Sequence, residues 1–142
     1  ALSALLEAWG GRFEQALVAA LVRRLGIAPG LDDRALAGAL IRALATRAAT
    51  IDRILFDWRG GRDPGADAYS AEQFRALAAL LDGRGRAPTH PYWSGAGPCS
   101  LHIAEVEAIW AAIAERDDWQ PFNDKVTAIR AMGGAMGDDG AA

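Results

Sequence analysis

Apolar residues recur at intervals of three and four in one segment after another, the spacing that places them on a single stripe of an α-helix. Over residues 2–25 the stripe is Leu5, Leu6, Trp9, Phe13, Leu17, Leu21 and Leu25, which predicts one long helix with a buried face. Gly10-Gly11 interrupts it at about 1 kcal/mol per glycine relative to alanine, so a kink or short break is expected there. Arg23 and Arg24 suit the negative end of the helix dipole, and Gly26 followed by Pro29-Gly30 stops the element near Leu25.

A second helix opens at an Asp32 or Asp33 cap, carries Leu36, Leu40, Ile41 and Leu44, and ends around Arg47. Thr50 caps a short third helix in which Ile51, Ile54, Leu55 and Trp58 form the buried face before Gly60-Gly61 ends it. Ser70 with Gln73 reads as a capping box for a fourth, running through Phe74, Leu77, Leu80 and Leu81 to Gly83. Residues 83–99 hold too many glycines and prolines for a regular element and predict one long ordered loop, a type of segment that often carries function.

Ser100 caps a fifth helix with Ile103, Val106, Ile109, Trp110 and Ile113, and Asp118 caps a sixth with Phe122, Val126, Ile129 and Met132. Pro121 is tolerated in the first turn, where no hydrogen-bonded N–H is lost. The tail from Gly133 is rich in small residues and acidic, and is expected to fray. No strand and no internal repeat is visible. The pattern predicts an all-α fold, a compact bundle of five to six helices with one long Gly/Pro-rich loop: residues 1–132 a single helical domain, 133–142 a flexible tail.

Composition adds bounds. A chain of 142 residues buries roughly 70% of its unfolded surface, enough for a real core. The net charge of -3 comes from interspersed residues, 15 basic and 18 acidic, so no basic stripe exists to meet nucleic acid. Cys99 is the only cysteine, so no internal disulfide can form and a reducing, cytoplasmic setting is expected. No segment reads as a secretion signal or as the roughly 20 apolar residues of a membrane span. The chain opens at Ala1 without methionine, a trace left by excision from a longer protein or by simple methionine removal.

Candidate chemistry is sparse. His90, Cys99 and His102 are metal-ligand types, but a structural zinc takes four ligands and no cysteine pair exists. His102 lies three residues beyond Cys99 and could act as its base, yet no oxyanion-hole signature accompanies the pair. Asp57, Trp58, Arg59, Gly60, Gly61 and Arg62 put two guanidinium forks beside two glycines, suited to a phosphate or carboxylate, although a helix C-terminus repels anions. Glu105, Glu107, Glu115, Asp117 and Asp118 read as solvated or capping groups. Four of the five tryptophans, at 9, 58, 110 and 119, read as core; Trp93, in the loop with His90 and Tyr92, reads as a partner anchor. The residues expected to carry interaction are therefore Asp57, Trp58, Arg59, Arg62, His90, Tyr92 and Trp93, with no catalytic, cofactor-binding or metal residue.

Several runs resemble the C-terminal helical region of the selenoprotein O family in its bacterial form. They are Arg23-Arg24-Leu25-Gly26-Ile27, Asp33-x-x-Leu36, Ile51-Asp52-Arg53-Ile54-Leu55-Phe56-Asp57-Trp58-Arg59-Gly60-Gly61 and His90-Pro91-Tyr92-Trp93. Ile103-Ala104-Glu105-Val106-Glu107-Ala108-Ile109-Trp110 and Ala114-Glu115-Arg116-Asp117-Asp118-Trp119 continue the likeness. The resemblance implies a kinase-like (pseudokinase) adenylyltransferase that moves AMP from ATP, with Mg²⁺, onto protein hydroxyls. The family's nucleotide lysine, its glutamate partner, the phosphate-binding arginines and the metal-binding Asp and Asn match no position here. This chain would therefore hold no cofactor and would support the kinase-like lobe, its expected partner. The family's redox cysteine or selenocysteine near the terminus is also unmatched, since the chain ends Met136-Gly137-Asp138-Asp139-Gly140-Ala141-Ala142. The alternative is a free-standing helical module that binds another protein.

Overall fold

The structure is a computed structural model that describes residues 2–138, with side chains described over 8–137. Six α-helices carry the fold: α1 Leu2–Leu25, α2 Asp33–Ala45, α3 Ile51–Asp57, α4 Glu72–Leu81, α5 Ile103–Arg116 and α6 Gln120–Asp138. Short 3-10 turns lie at Arg59–Gly61, Asp67–Tyr69 and Pro91–Ser94. Among the described residues there is no strand, only an isolated antiparallel bridge between Ile27 and Gly85. The all-α class follows from the apolar spacing as expected. Where the sequence suggested one body over 1–132, backbone contacts divide the chain into two compact units, Ala1–Pro88 and Thr89–Ala142.

In the first unit α2 packs principally against α4, and α1 lies against α2, α3 and the Arg59–Gly61 turn. Leu25, Leu36, Leu40, Ala43, Ile54 and Leu77 are fully buried in one apolar cluster. Three aromatic rings fix its centre: Trp58 stacks on Phe74 with centroids 5.9 Å apart, and Tyr69 sits 4.8 Å from Phe74 and 6.0 Å from Trp58. Such ring pairs add about 0.5–1.5 kcal/mol beyond their buried area.

Helix ends follow the sequence in part. Thr50 caps α3, its hydroxyl accepting from the Arg53 N–H at 3.3 Å. Ser70, by contrast, does not cap α4: it closes the Asp67–Tyr69 turn by donating its N–H to the Asp67 carbonyl, and α4 begins at Glu72 with Ala71 before it. Burial of Tyr69 holds that turn in place and removes Ser70 from the cap position. Nor does Ser100 cap α5, which starts at Ile103 with His102 before it. Asp118 does serve the start of α6, accepting from the Gln120 N–H at 3.0 Å.

Gly10-Gly11 does not break α1, which is continuous from Leu2 to Leu25. The penalty of two glycines lowers helix propensity without removing any hydrogen bond. Of the stripe expected to be buried on α1, Leu5 and Leu6 lie outside the residues whose side chains are described, and among the rest burial holds only at the C-terminal end. Leu21, Val22 and Leu25 are buried, whereas Trp9 is 67% exposed and Phe13 59%.

The second unit contains the Pro91–Ser94 turn, α5 and α6, with α6 packed against both. Helix α6 runs on to Asp138, so residues 133–138, expected to fray, are helical, and Ala135 is fully buried. Burial of Ala135, with the good helix formers Ala131, Met132 and Met136 around it, offsets the glycines. Residues 139–142 of the expected tail lie outside the described residues. Lys125, the one lysine, ties this unit together by donating to the Ser100 carbonyl at 2.8 Å and pairing with Glu105 at 2.6 Å.

Candidate functional site

The residues singled out from the sequence fall into two groups, one in each unit. In the first, α3 ends at Asp57, and Gly60 and Gly61 then turn the chain with positive φ, +69° and +73°. A side chain at Gly60 would collide with the Arg86 carbonyl, so the turn needs a residue without Cβ. This turn sends Arg59 back to the C-terminus of α1, where its guanidinium donates to the carbonyls of Arg23 at 3.1 Å and Arg24 at 2.8 Å. A cation at this end complements the helix dipole and satisfies carbonyls that the helix cannot. Gly26, with φ +66°, makes room: a Cβ there would stand 2.5 Å from the Arg59 side chain.

Arg62 likewise turns inward, donating to the carbonyls of Asp57 at 2.8 Å and Phe56 at 2.9 Å, with its guanidinium over the Phe56 ring. Asp57 is 8% exposed and accepts from Arg53 at 2.7 Å and from the Tyr69 hydroxyl at 2.6 Å. Burial, and then the hydrogen bond to the Asp57 carboxylate with its negative charge, push the Tyr69 phenol from 10.0 up to about 12, with Arg53 opposing. Trp58 is 1% exposed, and its indole N–H is buried without a hydrogen-bond partner. The guanidinium forks, which by chemistry alone could have met an anion, thus hold the chain's own carbonyls: the group works as a clasp between α1 and α3.

In the second unit, the His90 ring accepts from the Tyr92 N–H at 3.1 Å and starts the Pro91–Ser94 turn. The Tyr92 hydroxyl accepts from the Cys99 N–H at 2.9 Å, closing the 92–99 segment on itself. Trp93, the expected anchor, is 4% exposed, and Cys99 is half-buried. No hydrogen bond joins Cys99 to His102 among the described residues, nor do three or more His, Cys, Asp or Glu side chains there form a group able to hold a metal ion.

Of the tryptophans read as core, Trp58 is buried, and the other three are not. Trp93 is interior, whereas Trp9 and Trp110, each 67% exposed, and Trp119, 51% exposed, face solvent. They are accompanied by Phe13 and Leu17 on α1, Ile103 and Val106 on α5, and Phe122, Ile129 and Met136 on α6, all exposed. Isolated apolar residues at the surface are ordinary, but helix faces that line them up mark places where another surface belongs. The signal was present in the sequence as stripes at helical spacing; what it lacked was any indication of which stripes have a partner within the chain.

Among the described residues no helix is long and apolar enough to cross a membrane. No family model matches the chain, and no match is found among curated proteins or solved structures.

Proposed function

We propose that the chain is the C-terminal helical part of a selenoprotein O-like protein adenylyltransferase, supporting the kinase-like lobe and contributing no group to AMP transfer. One observation carries the reading beyond the resemblance of its sequence runs: large apolar side chains on α1, α5 and α6 stand exposed at helical spacing, as expected of surfaces that a neighbouring lobe covers. The polar groups fit a supporting role, because Arg59 and Arg62 are engaged with backbone carbonyls. ATP and Mg²⁺ belong, in this reading, to the lobe, and no residue of this chain is assigned to them.

The second reading, a free-standing module that binds another protein, is favoured by the first unit, which holds a sizeable apolar cluster of its own. The DNA upstream of Ala1 separates the two. An in-frame kinase-like segment with its lysine, glutamate and metal-binding residues is expected, and an immediate start codon with no such segment overturns the first reading. With that segment supplied as a separate polypeptide, this chain should bind it, and Trp110→Ser or Phe13→Ser should weaken binding. The chain alone, given labelled ATP and Mg²⁺, should transfer no AMP; turnover by the isolated chain would contradict a purely supporting role.

A further inference from the structure

We draw no further inference here: the strongest candidate, the open cavity of about 430 Å³ in the second unit lined by Tyr92, Cys99, Ser100, Glu105 and Lys125, carries nothing, because Lys125 and Glu105 neutralise each other and a lone cysteine beside them has no second observation pointing to a ligand.

Discussion

Helices α4 and α5 carry the same kind of apolar stripe and meet opposite fates. In α4, Phe74, Leu77 and Leu81 are at most 1% exposed, locked against α2 and the aromatic cluster. In α5, Ile103 is 74% exposed and Trp110 67%, and the helix buries only Ala112. The contrast extends to the units that contain them. Among the described residues, sixteen buried ones form one cluster in the first unit, while Trp93, Ala112 and Ala135 are the only buried ones in the second. Since stabilisation scales with apolar area removed from water, the two alanines contribute little, and beside Trp93 the second unit relies on half-buried side chains such as Ile109, Ile113 and Val126. Periodicity tells which residues share a face; it does not tell whether that face has a neighbour.

The sharpest way to break this contrast is to truncate one aromatic in each helix. Phe74→Ala should destabilise the protein by about 3–5 kcal/mol through lost burial and a cavity. Trp110→Ala, on a solvent-facing stripe, should stay within about 0.5 kcal/mol of wild type. Denaturant midpoints measure both, and equal losses would erase the difference between the units.

Next in size is the clasp. Arg59→Ala removes the hydrogen bonds to the Arg23 and Arg24 carbonyls from a site 4% exposed. For bonds made by a charged group, the expected loss is about 1.5–3 kcal/mol. If the Arg59 head group served an exposed anion site instead, equilibrium unfolding would show almost no change.

Smaller still is the cap. Thr50→Ala should lose about 1 kcal/mol, whereas Ser70→Ala, at a position that caps no helix, should remain within about 0.5 kcal/mol. A reversed order would mean that α4 begins at Ser70 after all.

The last effect is confined to alkaline solution. Because the folded chain holds the Tyr69 proton up to about pH 12, above its ordinary 10.0, the stability from this group is complete below pH 10.0 and is lost as pH rises through about 12. Tyr69→Phe should therefore show a shallower loss of stability across that window, and parallel curves for the two proteins would refute the shift.

Much of the fold was legible from residue spacing, because a helix repeats its neighbours every three or four positions whatever surrounds it. All six helices stood in the stripes, and Thr50 and Asp118 marked two starts correctly since their bonds are local. Ser70 misled because its cap competed with burial of Tyr69, a tertiary contact. Residues 133–138 misled because glycine content argues against a helix while the burial of Ala135, which argues for one, is invisible in one dimension. The clasp residues were picked out for their chemistry, but only the positive-φ turn at Gly60 and Gly61 reveals that Arg59 points back to α1. Trp9, Trp110 and Trp119 read as core because large aromatics usually are, and nothing local says that a face lacks a partner.

Native-state hydrogen exchange of the whole chain tests the contrast most directly, since it reads the free energy of opening helix by helix. Amides of α2 and α4 should exchange only through global unfolding, and those of α5 and α6 through openings of lower energy; if the proposed kinase-like lobe is the covering surface, adding it should raise protection of α5 and α6. Equal protection of all four helices in the chain alone would contradict the claim that the second unit awaits a covering surface.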